Sequence, residues 1–127
     1  MYTFAIRETQ VGDRDWIRRW LTFQWGAEYV VAHDEKIYPA DLPGFLAYDQ
    51  VTLEPVGLIT YRLENENCEI ITIDSLREGF GIGSALIDTV KDHARQQACL
   101  RLWLVTTNDN LSSLRFYQKR GFRIVRV

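Results

Sequence analysis

Cysteine is scarce in this chain of 127 residues, charge is nearly balanced, and long apolar runs are missing. Two cysteines, Cys68 and Cys99, provide neither a metal-ligand spacing nor a disulfide framework. The formal net charge of −2 lacks the basic excess of a general nucleic-acid binder. No window approaches the roughly 18 apolar residues that a membrane-spanning helix needs. The opening stretch, MYTFAIRETQVGDRD, meets Glu8, Asp13 and Asp15 before an apolar core of signal-peptide length accumulates. There is no repeat, linker or low-complexity tract. These absences predict a soluble, cytoplasmic, single domain over residues 1–127, long enough for one hydrophobic core and too short for two.

Charge is unevenly spread. Between Asp34 and Asp74 stand nine acids against Lys36 and Arg62, whereas from Leu111 onward five bases meet no acid. Solvated faces account for such blocks, and so does a protein that meets a cation with its middle and an anion with its last third.

Residues 2–7 alternate and predict a strand. Asp13 is placed to cap a helix carrying Trp16, Ile17, Trp20 and Leu21 at helical spacing. Residues 25–43 are irregular, aromatic and bounded by Pro39 and Pro43, which predicts a loop with a short extended or helical piece. Residues 44–49 and 56–63 predict a hairpin around QVTLEP, and a turn at ENEN leads to a strand over 68–76. Ile82, Leu86, Val90 and Ala94 step by four along a helix to about Gln97. A buried strand over 100–107, a helix over 112–120 stopped by Gly121, and a last strand from Phe122 complete the pattern. The order predicts a mixed α/β fold with helices on the faces of the sheet.

Between the strand and the helix, SLREGFGIGSAL places Gly79, Gly81 and Gly83 within five positions. A glycine-rich turn that opens a helix leaves unpaired N–H groups at the positive end of the helix dipole, an anion site suited to phosphate. Glycine lets phosphate approach the main chain and tolerates positive φ. A tight turn without a ligand needs only one glycine. A P-loop needs Gly-Lys-Ser/Thr, absent here. The dinucleotide fingerprint G-x-G-x-x-G/A fails in both registers, at Ser84 and at Leu86.

The segment resembles the Q/R-x-x-G-x-G/A motif of the GNAT superfamily of N-acetyltransferases, with Glu78-Gly79-Phe80-Gly81-Ile82-Gly83 in register and the arginine one place early, at Arg77. NLSSLRFYQKRGF resembles the later family motif through Asn110, Ser113, Phe116, Tyr117, Lys119, Gly121 and Phe122. The resemblance covers roughly residues 2–127. It implies a mostly antiparallel, twisted sheet of six or more strands, splayed at a cofactor cleft, with helices on both faces. It further implies acetyl-CoA as cofactor, its pyrophosphate on the N–H groups of Phe80 to Ser84, including Ile82 and Gly83, and main-chain N–H groups near Ile73 and Ser75 against its thioester.

An amine attacks only when neutral, so a base is needed. The resemblance points to Glu69, early on the strand before the turn, where a merely solvated residue fits the pattern as well; Asp74 is the second candidate. Tyr117 stands at the family's general-acid position, although a core-packing tyrosine also suits its helix. Asn110 suits a helix cap or a bond to pantetheine. His93 is expected on a helix surface, and His33 fits no pattern. The expected activity is acetyl transfer to a small primary amine, a cationic one in keeping with the acidic middle, or to a protein amine, with the acceptor pocket implied along the aromatic stretch from Trp25 to Leu42. The alternative is a non-catalytic acyl-CoA-binding regulatory domain. No nucleic acid, membrane or metal is expected. Ile124, Val125 and Val127 end the sequence without a turn signal, where the family usually adds another strand; this predicts a homodimer whose partner covers that edge, with a fragment of a longer protein as the alternative.

Overall fold

The computed structural model describes residues 3–32, 34–77 and 79–104. The expected helix over 112–120, the strand from Phe122 with its dimer edge, and Asn110, Tyr117, Glu78 and His33 lie outside the described residues.

Among the described residues seven strands and two helices follow one another. Strand β1 (Phe4–Glu8) leads through a 3-10 turn (Val11–Asp13) into helix α1 (Arg14–Trp25). Two three-residue strands, β2 (Val30–Ala32) and β3 (Glu35–Ile37), precede a second 3-10 turn at Pro39–Asp41. Then come β4 (Gly44–Asp49), β5 (Pro55–Glu64), β6 (Asn67–Ser75), helix α2 (Ile82–Gln96) and β7 (Arg101–Leu104). The main sheet has the order β1-β4-β5-β6-β7. Its first three pairings are antiparallel, and β6 pairs β7 in parallel from Asn67↔Arg101 to Ile70↔Leu104. Among the described residues the main sheet therefore holds five strands rather than six or more. The expected splay between β6 and β7 falls beyond the last described pair.

The long hairpin forms where the sequence predicts it. Its turn is fixed by Asp49, whose Oδ1 accepts the N–H groups of Val51 at 2.7 Å and Thr52 at 3.0 Å. Asp13 departs from expectation. It stands at the start of α1 without a side-chain capping bond, because its carboxylate is already engaged. Both oxygens take the Arg7 guanidinium at 2.8 Å, and Oδ2 also accepts the Gln10 N–H at 2.7 Å. The aspartate thus ties β1 to the preceding 3-10 turn. The segment 25–43 has the short extended and helical pieces expected of it, and the extended ones pair as the β2–β3 hairpin, with Val30 opposite Ile37. Strands of three residues are too short to show an alternation, and tertiary contact makes them. Val30 and Ile37 bury themselves against Ile71 of β6.

The two helices cover opposite faces of the sheet. Ile17 and Leu21 of α1 pack with Leu58 of β5 and Ala40. On the other face Ile82, Leu86, Ile87, Val90 and Ala94 of α2 pack with Phe45, Ile59, Tyr61, Cys68 and Ile70. Helix α2 sits low on β5 because residue 57 has no side chain. A Cβ there would lie 2.6 Å from Ile82 Cγ2 and 3.1 Å from Leu86 Cδ1. His93 is not a plain surface residue: its half-buried ring meets Phe45 edge-on, with centroids 5.9 Å apart, and lies 5.6 Å from Tyr61.

Strand β6 carries one residue more than its partner. Thr60 pairs with Thr72 while Tyr61 pairs with Ile70, so Ile71 is the extra residue of a β-bulge. Ile70 enters the core beneath α2, and Ile71 enters the small cluster beneath the β2–β3 hairpin. Past the bulge the α1 side of β6 turns polar, with Thr72 and Asp74. The Thr72 and Thr60 hydroxyls are buried and 2.6 Å apart, each the partner of the other.

Candidate functional site

The glycine-rich turn lies at the end of β6, directly before α2. Leu76 N–H donates to Val56 O at 2.8 Å, holding the strand to β5 up to the turn. Main-chain groups alternate in direction along a strand. Thr72 and Asp74 therefore turn theirs toward β5 with Leu76, while Ile73 and Ser75 turn theirs toward the opposite edge, the side on which β7 pairs further back.

Gly79 and Gly81 both hold left-handed backbone, with φ of +85° and +76°. A side chain at either position is strained by that conformation. Crowding is not the cause, since a Cβ at either would meet nothing within 4 Å. The bare backbone faces open space. Gly81 is the residue before α2 and offers no side-chain cap, and the first turn of the helix carries no acid. The first helical bond runs from Ala85 N–H to Gly81 O at 3.0 Å. The N–H groups of Ile82, Gly83 and Ser84 precede it and have no carbonyl within the helix. Donors, open space and the positive end of a 15-residue helix coincide, and this combination fits a phosphate group. Phe80, half exposed, stands over the same turn.

The two candidate carboxylates have different surroundings. Glu69, opposite Arg62 on β5, accepts Arg62 Nη2 at 3.3 Å. The same guanidinium reaches Glu35 on β3 through Nη1, so Glu69 belongs to an ion-pair network joining the sheet to the β2–β3 hairpin.

Asp74 pairs with Leu58 and faces α1, since its neighbour Ile73 packs on the α2 side. Its Oδ2 is buried without a hydrogen-bond partner, and so is Trp20 Nε1. Burial drives the Asp74 pKa above the ordinary carboxylate range, and the indole N–H groups of Trp20 and Trp25 offset this only in part. Trp20 is near enough to draw the value down, yet neither its Nε1 nor Asp74 Oδ2 has a hydrogen-bond partner.

Trp25 opens the aromatic stretch expected to line the acceptor pocket, whereas sequence reasoning places Trp20 only on the apolar face of α1 and misses it as a site residue. The available signal was the spacing of Trp16, Trp20 and Phe23 along one side of the helix. In the structure Trp16 and Trp20 stack with centroids 6.0 Å apart, and Phe23 lies 6.3 Å from Trp20. The end of β6 and the glycine turn thus bring Ile73, Asp74, Ser75 and residues 79–84 together, while Glu69 stands apart beyond the bulge.

Comparison with known proteins gives this geometry a family. The profile of the family described as "Acetyltransferase (GNAT) family" matches residues 14–122. The chain is 39% identical over 103 residues to the uncharacterized protein YdhI of Bacillus subtilis (strain 168), covering 81% of this chain and 64% of YdhI. It thus spans just under two thirds of that relative's length. Among solved structures, Arabidopsis thaliana Naa50 in complex with the bisubstrate analogue CoA-Ac-MVNAL superposes with a TM-score of 0.76 at 28% identity, covering 96% of this chain and 84% of Naa50. The aminoglycoside N-acetyltransferase AAC(6')-Iy in complex with CoA superposes with a TM-score of 0.72 at 16% identity, covering 97% and 90%, a likeness of fold alone. With a glycine turn at the start of α2, a bulged strand before it and a family profile spanning most of its length, the chain belongs to the GNAT acetyltransferase family.

Proposed function

We propose that this protein is an acetyl-CoA-dependent N-acetyltransferase acting on a primary amine by direct attack within a ternary complex. The observation that carries the reading is the turn at Gly79–Ser84, where left-handed glycines face open space beside uncapped helical N–H groups. The N–H groups of Phe80, Gly81, Ile82, Gly83 and Ser84 would hold the pyrophosphate of acetyl-CoA, with Gly79 and Glu78 shaping the approach. Acetyl-CoA, when bound, supplies an acetyl group activated as a thioester.

The chain's own groups do the rest. The outward N–H groups of Ile73 and Ser75 offer hydrogen bonds to the carbonyl oxygen, which stabilise negative charge as it develops. Glu69, oriented by Arg62 and set back from the glycine turn by the bulge, takes the proton that the amine must shed through a relay of water. Tyr117 gives a proton to the departing sulfur, and Asn110 steadies the pantetheine arm; both roles rest on the resemblance of the second motif. The acceptor is a small amine, cationic in keeping with the acidic middle of the chain, or a protein amine. The peptide portion of the analogue bound by Naa50 keeps a peptide arm in the test.

The test is release of free thiol from acetyl-CoA in the presence of small amines, diamines and short peptides. Amine-dependent release by the parent protein is the expected result. A second reading, a regulatory domain that binds acyl-CoA without turnover, draws on one observation: the Glu69 carboxylate is engaged by Arg62, which competes with water or an amine for it. Acetyl-CoA binding without amine-dependent thiol release under all conditions would favour it.

A further inference from the structure

The unsatisfied atoms beneath α1 call for a partner that the described residues do not supply. Asp74 Oδ2, an acceptor, and Trp20 Nε1, a donor, are both buried without hydrogen bonds. Each such group costs on the order of 1–3 kcal/mol relative to a satisfied one. Among the described residues no lysine or arginine pairs with Asp74. The arginine on the same face of β5, Arg62, is committed to Glu35 and Glu69, and Arg18 of α1 is committed to Asp15 and Asp41.

Around the carboxylate the surface is aromatic. Trp16 and Trp20 stack, Phe23 continues the row at 81% exposure, and Trp25 stands at the end of α1 at 39% exposure. One helix therefore buries Ile17 and Leu21 against the sheet and still shows aromatic rings to solvent. A half-buried carboxylate edged by indole rings matches a cation with an apolar body: the carboxylate takes the N–H donors, the ring faces take the charge and the flat surface takes the hydrocarbon.

We propose that Asp74, with the indole rings of Trp20 and Trp25, is the acceptor-recognition site of this protein, holding a cationic nitrogen of an amine whose neighbouring portion is apolar or aromatic. The assignment deepens the acetyl transfer proposed above and rests on it for the word acceptor. Asp74 lies between Ile73 and Ser75, the two residues whose N–H groups point to the opposite edge of β6. A nitrogen bound at its side chain is thus within one strand repeat of the groups proposed to face the thioester. The acidic middle of the chain adds long-range attraction of the same sign.

Binding and turnover are to be read separately. 2-Phenylethylamine, hexylamine and putrescine, with the uncharged control 2-phenylethanol, are titrated by tryptophan fluorescence with and without coenzyme A, and the same amines are assayed for thiol release. The parent is expected to bind 2-phenylethylamine at least tenfold more tightly than 2-phenylethanol. Asp74→Asn is expected to weaken amine binding at least tenfold and to raise the amine KM in parallel. It is expected to leave acetyl-CoA affinity within twofold and the thermal midpoint unchanged or higher, since it removes a half-buried charge. Trp20→Phe, which keeps a ring and loses the N–H donor, is expected to weaken binding less. Amine binding unchanged in a folded Asp74→Asn protein overturns the site, as does a parent that binds none of the three amines. A lowered thermal midpoint with unchanged amine affinity makes Asp74 a structural residue and also overturns it. Asp74-dependent amine binding without thiol release leaves this site standing and overturns the acetyl transfer.

Discussion

At the scale of single residues, Gly81 separates a backbone requirement from a space requirement. Its φ of +76° penalises any side chain, whereas the space around it is open. Asparagine tolerates the left-handed region far better than a β-branched residue. Gly81→Val is therefore expected to lose about 1–2 kcal/mol of stability from strain, and Gly81→Asn less. Both place atoms where the phosphate is proposed to lie, so acetyl-CoA affinity is expected to fall by more than about tenfold in each. Urea denaturation and calorimetric titration on the same samples measure the two effects independently. An Asn variant that keeps full affinity would separate the turn from the cofactor.

Asp13 and Asp74 also predict opposite pH dependences. The Arg7 guanidinium beside Asp13 holds its carboxyl below the usual range, with burial opposing and the Gln10 N–H assisting. A depressed folded pKa contributes stability that is present above the unfolded value and lost as pH falls through the folded one. Burial raises the pKa of Asp74, so its contribution is full below the unfolded value and lost as pH rises through the folded one. Urea midpoints between about pH 3 and pH 8 are expected to show both branches. Asp13→Asn should flatten the acid branch and Asp74→Asn the branch at higher pH. The Arg7–Asp13 pair is partly solvated, so its loss at neutral pH is expected to cost about 1 kcal/mol or less.

At the scale of elements, α2 couples the core to the glycine turn. Its first buried residue, Ile82, is also the first residue of the helix and touches the space above Gly57. Gly57→Ala would place a methyl 2.6 Å from Ile82 Cγ2, and only a shift of the helix end relieves that contact. An overpacking cost of about 1–3 kcal/mol is expected, read as a lower urea midpoint. Because the displaced end carries the uncapped N–H groups, acetyl-CoA affinity is expected to drop as well, although residue 57 does not face the turn's open side.

The same elements show what the sequence made legible. The β4–β5 hairpin, β6 and α2 were readable because period-two and period-four patterns run long enough to exceed chance, and Asp49 and the ENEN turn punctuate them. The glycine turn was readable because three glycines in five positions have few other uses. The β2–β3 hairpin was not: three residues per strand make no pattern, and burial against Ile71 forms it. Asp13 was read as a cap because capping is local, whereas its real partner, Arg7, lies on the other side of a turn. The Asp74–Trp20–Trp25 constellation joins residues about fifty positions apart, and no local spacing announces it.

At the scale of the whole molecule, the parts are fastened with unequal strength. The two principal cores clamp the sheet between α1 and α2, with buried side chains from β4, β5, β6 and both helices. The β2–β3 hairpin is attached through Val30, Ile37 and Ile71, with Leu42 at the edge, and through the Arg62–Glu35 ion pair. Small attachments of this kind open at lower free energy than the core. The prediction concerns time rather than shape. Main-chain amides of residues 30–37 are expected to exchange with solvent deuterium much faster than those of β5, and Arg62→Met should accelerate the former while leaving the latter unchanged. Equal rates in both segments would show that the hairpin shares the global unfolding unit. On the expected outcome the molecule keeps two clocks, a slow one for the sheet and its helices and a fast one for the hairpin. Each opening of the hairpin then uncovers Ile71, the extra residue of the bulge, and leaves the rest of the fold in place.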